Sequence, residues 1–226
     1  MWTYLNMHAS TTSLQRLLRS HADPTLAVPM ARYMRNQFPY LGIKTPERRA
    51  LFRQHAASDL PSVPDTDRVV RELWELPERE FQYAAIELVE KQALKLPEDF
   101  GSTLHYLITS KSWWDTVDSL SKSVGLHFKR YPEAKEDWLP RWRQSDNIWL
   151  RRTALLFQLH YKEQTDFPLL CAIIKENLGS KEFFINKAIG WALRQYARQD
   201  SAAVKRFADS QKLQPLSRRE ALKHVK

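Results

Sequence analysis

The sequence predicts an all-α protein, a solenoid of two-helix repeats, and three observations predict it. Only 5 of the 226 residues are glycine, and no stretch sustains the alternation of apolar and polar residues expected of a half-buried strand. Apolar residues recur instead at steps of three and four, the spacing that gathers side chains on one face of a helix. Aligning the longest such segments on a small or neutral residue places Ala85, Ser119, Ala154 and Ala188 at intervals of 34, 35 and 34. That is the period of stacked helix pairs. The expected organisation is a single domain over residues 1–226.

Taken in order, a first helix is expected over 12–21, within an N-terminal segment of about 25 residues that otherwise shows only a weak amphipathic pattern. The next is expected over 28–38, with Pro29 in its first turn, where a missing N–H is harmless, and a stop at Pro39. Met30, Tyr33, Met34 and Phe38 lie along one side of it. Gly42 marks a turn, after which Thr45 as N-cap and Pro46 at N1 open another helix. Residues 58–67, the stretch richest in breakers, read as a surface connection within the domain. Helices then follow over 68–74, 78–93, 97–108, 115–131, 132–143, 148–161, 167–178, 181–198 and 215–225, with prolines punctuating their starts.

Composition narrows the function. Lys and Arg number 35 against 26 acidic residues, a formal charge of +9, accompanied by 8 Trp, 8 Tyr and 10 Phe. That balance favours a polyanionic partner, nucleic acid first, because cations bind phosphates and aromatics stack on bases and sugars. No apolar run is long enough for a membrane span, no leader pattern opens the chain, and no lipidation signal accompanies a basic tract, so a soluble intracellular protein without a membrane partner is expected. The single cysteine, Cys171, sits in an apolar run and reads as a small hydrophobe. Seven scattered histidines offer no metal spacing, and neither GxxxxGK[ST] nor GxGxxG occurs, so no metal, nucleotide or other cofactor is expected.

The stretch KSWWDTVDS, residues 111–119, concentrates what chemistry remains. If it opens a helix, Trp114 and Asp118 stand four residues apart on one face, an aromatic plate beside an acid. The repeat alignment adds Arg152, Phe183, Lys187 and Trp191 in neighbouring columns, so stacked repeats would gather all six into one patch. Such columns could also form a buried seam between repeats, but a seam would tolerate Asp118, Arg152 and Lys187 only if each were paired. A face open to a charged ligand suits the mixture. A carboxylate can stabilise a sugar oxocarbenium ion while tryptophan faces pack against the sugar, the division of labour of glycoside hydrolysis.

Six blocks in order, MARYMRNQFPYLGIKTPERR, RELWELPEREFQYAA, TSKSWWDTVDS, SDNIWLRRTALLFQLHYK, SKEFFINKAIGWALRQYA and PLSRREALKH, closely resemble the AlkD-like alkylpurine DNA glycosylase family from about Met30 to the C-terminus. The resemblance implies a HEAT-like α-solenoid whose concave basic face holds duplex DNA, acting as a monomer in the cytoplasm at the nucleoid. It implies hydrolysis of the N-glycosidic bond of N3- and N7-alkylated purines. Carried over residue by residue, it makes Asp118 the catalytic carboxylate, Trp114 and Trp191 the walls of the lesion's sugar, and Arg152 a contact to the phosphate backbone. It places Tyr33, Phe183 and Arg194 on the DNA-facing surface, and Lys187 joins the basic face. Asp115 reads as a first-turn structural acid. The family is thought to work without enclosing the base, which suits a cationic purine that leaves without protonation. The rival reading is a catalytically silent HEAT-like scaffold binding DNA or a protein; a carboxylate on a polyanion-binding face argues against it, since it costs affinity.

Overall fold

The computed structural model describes residues 7–225. Among them are thirteen α-helices and no strand, so the fold is all-α, as the spacing predicts. The chain divides into two compact units, Met1–Pro97 and Glu98–Lys226.

The first unit holds α1 (Ala9–Ser20), α2 (Pro24–Tyr33), α3 (Thr45–Ser58), α4 (Thr66–Glu75) and α5 (Arg79–Gln92). Helix α1 packs on α3 and α4, and α5 packs on the same two. Leu14, Leu18, Val69, Val70, Leu73 and Phe81 form its dry interior. A buried carboxylate orders the turn before α3: Glu80 is fully enclosed and accepts the N–H groups of Leu41, Gly42 and Ile43 at 2.9, 2.9 and 3.2 Å. Gly42 is required there, since its φ is +92° and a Cβ would lie 2.0 Å from the Asp23 carbonyl oxygen.

Helix α2 departs from its expected bounds of 28–38. It starts four residues earlier because the Asp23 carboxylate accepts the N–H groups of Thr25 and Leu26 and Pro24 occupies the first turn. Pro29 therefore stands inside the helix. The helix ends at Tyr33, and Arg35 and Asn36 follow with φ of +55° and +54°. Helix α3 begins one residue before its expected start, with Lys44 at the cap and no side-chain capping bond.

The second unit opens with a 3-10 turn at Glu98–Phe100 and continues through α6 (Gly101–Thr109), α7 (Trp114–Arg130), α8 (Pro132–Arg143) and α9 (Ile148–Leu156). After a 3-10 turn at Lys162–Gln164 come α10 (Phe167–Glu176), α11 (Phe183–Tyr196), α12 (Ser201–Ser210) and α13 (Pro215–Ala221). Alternate helices pack in a row, α7 on α9, α9 on α11 and α11 on α13, while α8 and α10 lean on α9 and α12 on α11. That is the two-helix repeat in physical form. Ion pairs rivet it at the repeat spacing: Asp118 with Arg152, 34 residues apart, Arg143 with Glu176, 33 apart, and Lys187 with Glu220, 33 apart.

Three details differ from expectation. Helix α12 has no counterpart among the expected helices, although Asp200 caps it by accepting the Ala203 N–H at 2.8 Å. Helix α9 stops at Leu156 instead of running to 161. The chain beyond it packs on α7 so closely that a Cβ on Gly125 would meet the Phe157 carbonyl oxygen at 2.2 Å, and the Tyr161 hydroxyl donates to the Gly125 carbonyl at 2.7 Å. In the repeat column, Ala85, Ala154 and Ala188 are buried but Ser119 is exposed, and Leu120 takes the buried place one residue later.

The most extensive helix pairing is that of α11 with α13. It depends on Gly190, where a Cβ would lie 2.5 Å from Glu220 Cβ and 3.0 Å from the Ser217 carbonyl oxygen. The Ser217 hydroxyl, itself buried, donates to the Asn186 carbonyl at 2.9 Å. Gly190→Ala is expected to force the two helices apart and lower the folding stability by about 1–3 kcal/mol. Urea unfolding measures this directly; an unchanged midpoint would show that α13 yields freely.

Candidate active site

The tryptophan pair is split by the helix it opens. Trp113 is the N-cap of α7 and Trp114 its first residue. Trp113 turns into an aromatic cluster, with ring centroids 5.7 Å from Trp149 and 5.2 Å from Phe184, and Phe184 in turn lies 5.1 Å from Trp149. Trp114 faces a cleft of about 280 Å³. One turn on, Asp118 faces the same cleft, as the four-residue spacing requires.

The remaining lining comes from the other members of the helix row: Arg152 on α9; Phe183, Phe184, Lys187, Trp191 and Arg194 on α11; and Glu220 on α13. All six residues expected to converge from the repeat alignment do so. Phe183, 56% exposed, stands at the rim, whereas Phe184 turns inward to the aromatic cluster. Tyr33 belongs to the first unit, where it ends α2 and is 72% exposed.

Arg152, expected to contact the phosphate backbone, is engaged by partners within the protein. Its side chain is 5% exposed, and its fork holds both oxygens of Asp118, Nε to Oδ1 at 2.7 Å and Nη2 to Oδ2 at 2.9 Å. Nη1 donates to the Phe184 carbonyl. The reason is electrostatic: a guanidinium this deep needs acceptors on every side, and the carboxylate 34 residues earlier lies within reach of its fork. The condition under which these charges could sit in a seam, that each be paired, is thus met inside the protein.

Burial pushes the Asp118 carboxyl above its ordinary range, the Arg152 hydrogen bonds and charge oppose that, and the like charge of Asp115 adds to it. Asp115 occupies the first turn of α7, the position expected of it, where an acid meets the positive end of the helix dipole. Lys187 and Arg194 also have a protein partner, Glu220, whose carboxylate accepts from Lys187 Nζ at 3.0 Å and from Arg194 Nη1. Those hydrogen bonds, Lys187's first, hold Glu220 below the usual carboxylate range. Glu220 was not singled out from the sequence; extending the column of Arg152 and Asn186 by one more period of 34 to the last helix would have found it. Among the described residues, no group of three or more His, Cys, Asp or Glu is placed to share a metal ion.

Comparison with known proteins places this cleft in context. The sequence profile of the family described as DNA alkylation repair enzyme matches residues 14–225, a span that takes in both units. A solved structure described as a predicted DNA alkylation repair enzyme from Enterococcus faecalis is 32% identical, with 90% of this chain and 96% of that one covered and a TM-score of 0.84. A second, smu.31 from Streptococcus mutans UA159, shares the fold at a TM-score of 0.65 and 12% identity, covering 96% of this chain and all of that one. No curated protein matches the chain.

Breaking the Asp118–Arg152 pair from either side has different consequences. Arg152→Met leaves a carboxylate enclosed without its partner and is expected to cost roughly 3 kcal/mol at neutral pH. The cost should shrink as pH falls, because Asp118, its pKa then raised further, can take up a proton. Asp118→Asn keeps one acceptor but turns an amide donor toward Arg152, a loss of about 1–3 kcal/mol with no such recovery in acid. Urea unfolding of both variants at pH 7 and pH 5 checks the contrast; parallel pH responses would mean that the pair carries no buried charge.

Proposed function

The chain belongs to the DNA alkylation repair enzyme family, and on that premise we propose that it is a monofunctional DNA glycosylase, hydrolysing the N-glycosidic bond of cationic N3- and N7-alkylated purines in duplex DNA and leaving an abasic site. It acts as a monomer, as one glycosylase domain. The observation that carries this reading is the carboxylate of Asp118, gripped by Arg152 and set beside Trp114 and Trp191 in a cleft open to solvent.

In the reaction the bond from deoxyribose C1′ to the purine nitrogen breaks, and its electron pair leaves with the base, discharging the positive ring. Positive charge then builds at C1′ and the ring oxygen. A fixed carboxylate beside that charge stabilises it more than bulk water does, because its dipoles need no reorganisation. Arg152 keeps Asp118 ionised and oriented while its fork leaves lone pairs on both carboxylate oxygens for the sugar and for water. Water adds to C1′ and gives up its proton to the Asp118 carboxylate, which passes it to solvent, as the abasic hydroxyl forms. Trp114 and Trp191 supply flat apolar walls for the sugar. The cleft, about 280 Å³, is a groove open to solvent rather than an enclosed cavity, which suits a sugar and phosphate segment laid against its walls rather than a base sealed from water.

The second reading, a silent DNA-binding scaffold, draws support from the internal pairing of the cleft's charges. The carboxylates separate the two. On a duplex carrying one N7-methylguanine, Asp118→Asn is expected to lower the single-turnover rate by about 10² or more while DNA binding survives, and Asp115→Asn to do far less. The wild-type rate should fall on the acid side with an apparent pKa above the ordinary 3.8, since protonation removes the charge that the reaction uses. Removing the like charge in Asp115→Asn should move that limb to lower pH. Equal effects of the two substitutions, or no abasic product at all, would sink the catalytic assignment.

Selectivity should follow leaving-group charge rather than base shape. Duplexes bearing N7-methylguanine or N3-methyladenine are expected to lose the base, and those bearing hypoxanthine or uracil to keep it, because no group in the cleft is assigned to protonate a neutral base. Rates compared across N7 adducts of growing size should change little. A steep fall from methyl to a bulky adduct would point to an enclosing pocket.

A further inference from the structure

Glu220 sits where a polyanion would be expected to bind. Lys187 and Arg194 are seven residues apart, two turns along one face of α11, and the side chains converge on a single carboxylate, one on each oxygen. The fit is built in from below. Gly190, between the two cations, has no side chain, so α13 can approach to where Glu220 Cβ would be 2.5 Å from a Cβ at position 190, and the buried Ser217–Asn186 hydrogen bond fixes its seat. Lys187 remains 38% exposed while Glu220 is 17% exposed, so the cation can be reached from solvent although the carboxylate already holds it. Within the cleft, Arg152, Lys187 and Arg194 oppose Asp118 and Glu220, three charges against two, a net +1; without Glu220 it would be +2.

We propose that Glu220 stands in for a DNA phosphate, occupying Lys187 and Arg194 in the free protein so that a backbone phosphate must displace it to bind, and thereby sets how tightly the cleft holds any duplex. The inference rests on the cleft's receiving DNA. A carboxylate offers the two cations the same pair of negative oxygens as a phosphodiester. Its cost falls on every duplex alike. Undamaged DNA, which gains nothing from Asp118 and the tryptophan walls, therefore binds more weakly and with a shallower salt dependence than the cations present would give.

The test compares wild type with Glu220→Gln, Glu220→Asp and a charge control, Glu163→Gln, an exposed acid in the 3-10 turn before α10. Undamaged-duplex affinity is measured from low to physiological salt, and elution from immobilised heparin provides a readout of polyanion binding that needs no lesion. Glu220→Gln is expected to bind undamaged duplex about two- to fivefold more tightly, and, with one opposing charge removed, to steepen the slope of log K against log salt by up to about 0.9. Glu220→Asp keeps the charge but is one methylene short of both cations, so it should steepen the slope as well; a purely long-range field would leave it like wild type. A merely structural role predicts lower stability with an unchanged slope. If Glu220→Gln shifts neither slope nor heparin elution beyond the Glu163→Gln control, the proposal is overturned. Should Glu220→Gln not fold, the slope and heparin elution of Glu220→Asp decide in its place. Excision of N7-methylguanine by wild type is scored separately: excision without a slope change sinks the phosphate stand-in alone, and a slope change without excision sinks the glycosylase reading alone.

Discussion

Arg152 is the charge on which the cleft depends. A guanidinium only 5% exposed is sustained by partners or not at all, because removing an ion from water costs several kcal/mol before any partner repays it. Its partners are Asp118 on α7 and the Phe184 carbonyl on α11. One side chain on α9 thus ties together three consecutive members of the helix row. The same contacts aim the carboxylate. A buried ion pair is weak evidence for stability, but a bidentate one fixes direction, and direction is what a carboxylate beside a reacting sugar requires.

Around that pair the helix geometry distributes the aromatics. Trp113 is the extended cap residue before α7 and Trp114 its first helical residue, and the two tryptophans go to different places. Trp113 joins Trp149 and Phe184 in the cluster behind the cleft, and Trp114 lines its surface. The Phe183–Phe184 pair repeats the arrangement at the start of α11, one ring exposed at the rim and one turned inward. Each opening dipeptide contributes one support and one wall.

The far wall is made by close approach. Gly190 admits α13, and α13 brings Glu220 to the two cations of α11. The cleft that results has nearly balanced charge despite a chain of formal charge +9. On the proposed reading, that balance restrains binding to undamaged DNA while Asp118 is kept for the sugar, and the general basic surface supplies the long-range attraction.

Much of this was legible in the chain itself. The helices follow from the three-and-four spacing and the scarcity of glycine, and the convergence of Trp114, Asp118, Arg152, Phe183, Lys187 and Trp191 follows from a period of 34–35 residues, because stacked repeats bring equivalent columns side by side. Such properties are periodic, and period is what a sequence records directly. The early end of α9 and the one-residue shift at Ser119 were not legible, since each is settled by packing against other segments: the 157–161 stretch on Gly125 and the burial of Leu120. The start of α2 was legible, since its signal is local: Asp23 caps the helix from the position just before it, with Pro24 in the first turn. The partners of the charges were decided by tertiary structure as well. Nothing in the spacing tells whether Arg152 faces a phosphate or Asp118, or that Lys187 and Arg194 share Glu220, because an ion pair depends on side-chain reach and local burial across helices, and these exist only once α7, α9, α11 and α13 have packed.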